Sequence, residues 1–324
     1  MEGKFIKITS KDEWKNLLDK VFFKTFFHNA EWEEFLESQF KWLKFERYLY
    51  KDRVLLSLAR VGKKLISHPF CEYGGPLPLV EEIDGERFKR DLFSEFKTPV
   101  KISFHPYLLS YFLCDQSQKY AIAENCDGGR VSYFIEKFPP FLRKTTRHEI
   151  EKAKTKSLQI EKCQNQQDLN HFYDLHLKSA KKHRVPAYPF SFFKYFFQSP
   201  QAEIILSKYR NRVVAGSVFL FYDNFIHYFQ NAVDERYKKL GANHLILWHQ
   251  MEKMGSRIFD LGGTRHGSSL QTFKEGWGGR EVPIYELKNY KENDLRSSKL
   301  RNIFGILPPF LVKKLSPYLL KYKI

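Results

Sequence analysis

The sequence is short of cysteine, methionine, long apolar runs and acidic charge, and each shortage removes a class of protein. Its four cysteines, Cys71, Cys114, Cys126 and Cys163, form no CxxC pair, and no histidine cluster stands at zinc spacing. A zinc module or a disulfide-framed secreted fold is thereby excluded, and free thiols in a reducing compartment are expected. No stretch is apolar for the roughly 18 consecutive residues that a membrane-spanning helix requires. The opening MEGKFIKITSKDEW lacks the apolar core of a secretory signal. The expected location is the cytoplasm. Acidic side chains number 37 against 54 Lys and Arg, a net charge of +17. That balance favours polyanionic partners such as nucleic acid, anionic lipid, or nucleotide- and lipid-linked phosphates. A lysine-rich solvated surface is the plainer reading of the same charge.

What the sequence does hold is aromatic mass. With 31 Phe and 18 Tyr among 324 residues, and 43% hydrophobic residues, it has enough apolar material for one large domain or two moderate ones. Intrinsic disorder is excluded by the same figures.

Pattern reading gives an ordered series of elements. In the first half a strand at Phe5–Ile8 precedes a helix begun by Ser10, with Glu13 at capping-box spacing. A second helix over Ala30–Phe40 follows Asn29 as its candidate cap. Strands are expected at Phe45–Tyr50, Arg53–Val61 and Leu65–His68, then a helix over Gly85–Phe96 and a strand at Val100–Phe104. Strands at Tyr120–Ala123 and Val131–Ile135, with a hairpin turn at Asp127–Gly129, close this half. Pro139 and Pro140 mark the boundary. The second half starts with a basic helix, Arg143–Lys156, and a strand at Leu158–Glu161. Helices over Gln167–Lys182 and Phe190–Phe197 follow, then strands at Glu203–Lys208, Val213–Tyr222 and Phe225–Asn231. Their connecting turns, Tyr209–Arg212 and Asp223-Asn224, have hairpin chemistry. A helix from Ala242 to Met254, stopped by Gly255, and a strand at Arg257–Leu261 complete it. Both halves thus run strand, two helices, three strands, helix, strand, the mark of a duplicated α/β architecture.

That order is similar to the GNAT N-acyltransferase fold. In GNAT enzymes the helix after the fourth strand points its N-terminus at the cofactor pyrophosphate, where free N–H groups and the helix dipole favour an anion. The corresponding stretch here is Lys238-Lys239-Leu240-Gly241-Ala242-Asn243, with Lys238 at the first motif position and Gly241-Ala242 in place of a glycine pair. The segment Phe259-Asp260-Leu261-Gly262-Gly263-Thr264-Arg265, followed by Phe273-Lys274-Glu275-Gly276, resembles the Fem-type transferases. So does the basic helix of Arg143 and Arg147. The resemblance covers residues 28–290 and implies tandem GNAT-like units with mixed, mostly antiparallel sheets flanked by helices. The expected division is 1–139 plus a returning tail, 292–324, as the substrate-binding unit, and 140–291 as the catalytic unit.

Characterised Fem-type enzymes move an amino acid from aminoacyl-tRNA to an amine on a peptidoglycan precursor. The resemblance therefore implies acyl or aminoacyl transfer to an amine on a cell-envelope precursor, nucleotide- or lipid-linked. The donor would be aminoacyl-tRNA or acyl-CoA, with no tightly bound cofactor and no metal. It places Lys274 at the reacting centre, where a fixed cation stabilises an oxyanion, with Phe273 beside it. Tyr228 and Asn231 fall on the splayed fourth strand, Tyr228 as a candidate acid for the leaving group. Gly262 and Gly263 are candidates for backbone contact to an anion, and Arg265 for a carboxylate or phosphate, with Asp260 either orienting it or capping the strand end. Lys238 and Gly241 would face the donor, and Arg143 and Arg147 a tRNA backbone. The Ile306–Ile324 segment mixes Leu, Phe and Tyr with lysines, the composition of a segment at an anionic membrane surface. Two alternatives stay open: an acyl-CoA-dependent N-acyltransferase acting on an amino sugar, and a non-catalytic module that binds RNA or anionic membrane.

Overall fold

A computed structural model describes residues 4–112, 129–290 and 307–322. In chain order its elements are β1 (Phe5–Ile8), α1 (Lys11–Leu18), α2 (Ala30–Gln39), β2 (Leu43–Tyr50), β3 (Val54–Val61), β4 (Lys64–Ile66), β5 (Leu77–Pro78), α3 (Gly85–Glu95), β6 (Val100–Ser103) and β7 (Arg130–Ile135). There follow α4 (Lys144–Lys154), β8 (Gln159–Lys162), α5 (Gln166–His183), α6 (Phe190–Gln198), β9 (Ala202–Tyr209), β10 (Arg212–Tyr222) and β11 (Phe225–Val233). The series ends with α7 (Ala242–Met251), β12 (Ile258–Asp260), β13 (Thr264–Arg265), α8 (Ser269–Glu275), β14 (Arg280–Pro283), β15 (Glu286–Lys288) and α9 (Pro309–Leu319). The expected strand at Tyr120–Ala123, Cys114, Cys126 and the first two residues of the Asp127–Gly129 turn lie outside the described residues.

The chain divides into two compact units. The first comprises Met1–Ser132, Gly263–His266 and Val282–Glu292, and the second Tyr133–Gly262, Gly267–Glu281 and Asn293–Ile324. In the first unit the sheet runs β1-β2-β3-β4-β6-β15, with β5 paired to β3. Every pairing in it is antiparallel except that of β4 with β6. Ser10 accepts the Glu13 N–H at 3.3 Å and starts α1, as its spacing predicts. Asp84 does the same for Arg87 at the head of α3. Each helix then buries residues one turn apart, Trp32 and Leu36 on α2 and Phe88 and Leu92 on α3. Phe5, Leu56, Phe88, Phe104 and Phe112 meet in the core.

Beneath α2 the same unit buries a polar cluster. Glu33, fully enclosed, accepts from the Arg47 guanidinium at 2.7 Å and from the Ser57 hydroxyl at 2.6 Å. His68 Nε2 lies 3.6 Å from the same carboxylate, and its ring meets that of His28 edge-on at 4.7 Å. His28 is fixed by Thr25 on one ring nitrogen and by the Gly75 carbonyl, 3.0 Å away, on the other. Burial pushes the Glu33 carboxyl up to about 7 against the pull of Arg47 and Ser57. It holds His28 down at about 4, and His68 well below the ordinary imidazole range.

In the second unit the sheet runs β7-β12-β11-β10-β9-β8, and β14 also pairs with β7. Along that order β11 and β12 are parallel and the other pairs antiparallel. The β9–β10 turn places Arg210 and Asn211 at φ 50° and 60°, the paired positive values of a two-residue hairpin. Helix α5 buries Leu169, Phe172, Tyr173, His176 and Leu177, the stripe its periodicity predicts.

Two expectations about domain limits are corrected. The division does not fall at Pro139 and Pro140: strand β7 itself carries it, with Arg130–Ser132 in the first unit and Tyr133 onward in the second. There β13 pairs with the early residues of β7, Thr264 with Val131 and Arg265 with Arg130. The tail does not return to the first unit either. Helix α9 packs on α5 of the second. Val312 and Leu320 are buried, and Ser316 Oγ accepts the Ala187 N–H at 3.0 Å, satisfying a backbone donor that follows α5. The late segment that does belong to the first unit is β15, which lies along β6.

Candidate functional site

In the second unit the parallel pair β11 and β12 parts partway along β11. Strands β11 and β12 are in register at Phe225–Ile258, Ile226–Phe259 and His227–Asp260, and then separate. Strand β11 continues to Val233, while β12 stops at Asp260 and the chain turns through Gly262 at φ +75°. On the other edge of β11 the register to β10 slips by one residue, so Phe219 faces Tyr228 and Val218 faces Gln230. The bulge falls at Phe229. Bulges bend and twist a strand and re-aim its side chains, and here one sits at the point of separation.

A run of buried hydrogen bonds holds the floor of this opening. His227 Nδ1 and Asp260 Oδ2 are 2.7 Å apart, both fully enclosed. Asp260 Oδ1 accepts the Gly262 N–H at 2.8 Å. The Lys274 ammonium donates to the Gly262 carbonyl at 2.7 Å. The single peptide turn at Gly262 is thus gripped through both its N–H and its C=O, and the positive φ there is one that only glycine adopts at little cost. Helix α8 delivers Lys274. Ser268 caps it by accepting the Gln271 N–H at 3.2 Å, and Gln271 and Lys274, three residues apart, both turn inward. Gln271 donates to Tyr133, whose hydroxyl in turn donates to Glu281, with a Glu275 oxygen 3.2 Å from the same hydroxyl.

On the β11 side, Tyr228 is buried and its hydroxyl donates to Asn243 Oδ1 at 3.0 Å. Ser217 Oγ reaches the same oxygen at 3.5 Å. Burial raises the Tyr228 hydroxyl well above the ordinary phenol range, so it stays protonated at neutral pH. Asn243 belongs to the first turn of α7, which ties this cluster to the helix terminus expected to face an anion.

The other residues singled out in the sequence fall as follows. Phe273 is half-buried, edge-on to His244 at 5.3 Å and near Trp277 at 6.3 Å. Asn231 is half-buried on β11 opposite Ser217. Lys238 is exposed in a short 3₁₀ turn before α7. Gly241 precedes α7 at φ +73°, and a Cβ there would lie 3.0 Å from the Ala153 side chain and 3.2 Å from the Glu149 carbonyl. Its bare side faces α4, so packing of α4 is one reason for glycine here. Arg143 caps α4, pairs with Glu275 at 2.8 Å and is exposed; Arg147 is exposed on the same helix. Gly263 and Arg265 belong to the first unit. A Cβ on Gly263 would meet Arg130, Glu72 and Ile284 at 2.9 Å, and Arg265 is exposed on β13. Asp260 is not the partner of Arg265: it serves His227 and Gly262.

Two features run beyond the sequence expectations. Lys274, placed at the reacting centre by the resemblance, is only 4% exposed. The His227–Asp260 pair was not foreseen, because the two residues are 33 apart in sequence and only the parallel register joins them. Among the described residues no three His, Cys, Asp or Glu side chains are grouped to hold a metal ion. No described helix is long and apolar enough to cross a membrane.

Residues 141–275 match the model of the Acetyltransferase (GNAT) domain. Comparison with curated protein sequences returns no match. Among solved structures the chain is similar to FemX, at 13% identity and a TM-score of 0.60, over 93% of this chain and 100% of that one. It is similar to L-PGS from Bacillus licheniformis at 13% identity and 0.56, over 92% and 98%. A conserved protein of unknown function from Bacteroides thetaiotaomicron VPI-5482 aligns at 10% identity and 0.58, over 88% and 99%. The fold and the matched domain define an acyltransferase of the GNAT type. Within that class, the chain shares its two-unit fold with FemX and with L-PGS.

Proposed function

We propose that this enzyme transfers an acyl or aminoacyl group to an amine on a cell-envelope precursor, and that the reaction takes place in the second unit where β11 and β12 part. The observation that carries the proposal is the gripped Gly262 turn, with the Lys274 ammonium on one side of the opening and the Tyr228–Asn243–Ser217 cluster on the other strand. Acyl transfer needs a carbonyl carbon open to attack, a positive or N–H-rich environment for the oxyanion, and a proton for the leaving group. The parted strands offer the space. Lys274 supplies a fixed positive charge in a water-poor setting, where charge stabilisation is strongest. Tyr228, kept protonated by burial, is a proton source for the departing oxygen or sulfur.

In this reading the acceptor amine attacks as the neutral base, a tetrahedral adduct forms, and its collapse expels the carrier. The likeness of fold to FemX and L-PGS supports an envelope acceptor, and the positive charge of the chain supports a phosphate-bearing donor or acceptor. The donor is aminoacyl-tRNA in this reading; acyl-CoA is the competing donor. The test is mass spectrometry of product formed by the purified chain from aminoacyl-tRNA or from acyl-CoA, with amine-bearing nucleotide- and lipid-linked precursors. Product from aminoacyl-tRNA, lost in Lys274→Ala and Tyr228→Phe, is expected. Turnover of acyl-CoA alone would replace the donor, and absence of product from either would overturn the reading.

A further inference from the structure

Helix α9 of the second unit has two faces of opposite character. Val312, Ser316 and Leu320, spaced by four, are buried as the helix packs on α5. Half a turn away lie Phe310, Lys314, Tyr318 and Lys321, which a 3.6-residue period places on the opposite side. Phe310 and Tyr318 are each 68% exposed, and Leu315, on the flank, is 36% exposed. On the other flank the Lys313 ammonium stands 5.7 Å over the Tyr173 ring. Residues 295–324 contain no Asp or Glu.

We propose that this outward face docks on an anionic lipid bilayer, with Phe310 and Tyr318 entering the boundary between headgroups and acyl chains and the lysines resting against lipid phosphates. Three properties select a membrane as the occupant. The two rings sit eight residues apart, roughly 12 Å along the axis and about 80° apart around it, so both fall on the outward side of a helix lying on a surface. A phenyl ring held in water gains from an apolar phase, which the phosphate backbone of a nucleic acid does not offer, while the amphipathic tyrosine ring suits the interface itself. The lysines beside the rings, with no carboxylate among them, complement a negatively charged leaflet. The contact is peripheral, since no described helix spans a bilayer. The inference stands on this helix and does not depend on the acyl-transfer reading.

The test is co-sedimentation of the full chain with vesicles of phosphatidylcholine alone and of a two-to-one mixture of phosphatidylcholine and phosphatidylglycerol, at low and moderate salt. Binding is expected to the anionic mixture only, and to weaken with salt. The double variant Phe310→Ser, Tyr318→Ser should bind at least about tenfold more weakly, and Lys314→Ala and Lys321→Ala about fivefold more weakly each. Because these side chains are exposed, thermal melting of every variant should match the parent, which separates loss of docking from loss of fold. Failure of the parent to sediment with anionic vesicles overturns the proposal. So does vesicle binding that the variants leave unchanged, and so does a loss confined to binding of a single-stranded RNA probe.

Discussion

Each unit buries one network of charged and polar side chains, and the two are built to different ends. In the first, Glu33 ties α2 to Arg47 on β2 and Ser57 on β3, while His28, in the 3₁₀ turn before α2, bonds Thr25 and the Gly75 carbonyl and meets the His68 ring edge-on. In the second, Asp260, paired with His227, takes the N–H of Gly262 and Lys274 takes its C=O, where a strand pair parts. The same α/β order therefore supports either a polar lock under a helix or a fixed turn between parting strands. The difference lies in what the buried charges hold: side chains in one unit, a backbone turn in the other. A buried charge network is weak evidence of function by itself, since such groups are costly to bury and are kept for fold specificity as well as for chemistry. The second unit stands apart because its network holds the backbone turn at which two strands separate.

The largest expected effects break the second network. Asp260→Ala removes the carboxylate that His227 and the Gly262 N–H share in a fully enclosed place, and should cost about 3–5 kcal/mol in urea titration, with turnover lost. Lys274→Ala should lower turnover about 10²–10³-fold, the range for loss of an oxyanion donor, and cost about 1–3 kcal/mol for the orphaned Gly262 carbonyl. Lys274→Arg should also be impaired, because a planar guanidinium does not replace a compact ammonium. Arg47→Ala is the counterpart in the first unit. It should destabilise by a similar few kcal/mol and leave turnover per folded molecule unchanged. If Arg47→Ala abolished turnover in folded protein, or Lys274→Ala spared it, the contrast between the two networks would fail.

The legible part of this molecule was the local part. Ser10, the Phe172-Tyr173-His176-Leu177 stripe and the Arg210-Asn211 turn declare their structure within a few residues, and each element they predict is present. The duplicated order followed from them. What escaped depends on register and on packing at long range. Nothing near His227 points to Asp260, because a parallel pair is joined by a crossover and its alignment is fixed by the helix between. Gly241 read as a ligand-facing glycine, since the sequence does not show α4 lying against it. Lys274 stood out through the resemblance alone, and its burial was not legible, because burying a lysine needs an acceptor, here the Gly262 carbonyl, that only the folded turn presents.

The first network is sharpened by pH. Glu33 titrates at about 7 in the folded chain against 4.5 as a free side chain. A raised carboxyl pKa means that the folded state holds the proton more tightly. The stabilisation is therefore full below about pH 4.5 and is lost as pH rises through 7. Glu33→Gln should gain stability relative to the parent by about 3 kcal/mol between those limits, read as the difference in urea midpoints across a pH series. His28, lowered to about 4 from 6.5, acts in the opposite sense. Its contribution is full above pH 6.5 and is lost as pH falls through 4. In the parent the two terms offset each other between about pH 4.5 and 6.5, so Glu33→Gln should expose a steeper acid decline there. A difference that stays flat with pH would mean that Glu33 is held ionised by Arg47 at all pH values.

The smallest effect concerns the outer side of the second unit. Arg147 is exposed on α4, in the run that also carries Arg143 and Lys144. Arg143 is partly committed to Glu275, which makes Arg147 the cleaner probe of this face. Removing an exposed arginine should change stability by no more than about 0.5 kcal/mol. If the helix tracks the phosphates of an aminoacyl-tRNA, each arginine in contact releases condensed counterions on binding, so Arg147→Ala should reduce the slope of log affinity against log salt by about 0.7–0.9. Turnover at saturating donor should not change, because Arg147 makes no described contact with the Gly262 turn, Tyr228 or Lys274. A filter-binding series over salt concentration, run beside single-turnover kinetics, reads both quantities. Unchanged salt dependence would make α4 a solvated face whose charge is matched by Glu149 and Glu151. A fall in saturated turnover would instead move Arg147 into the reaction, and the division between a shaping network within and a docking face outside would have to be redrawn.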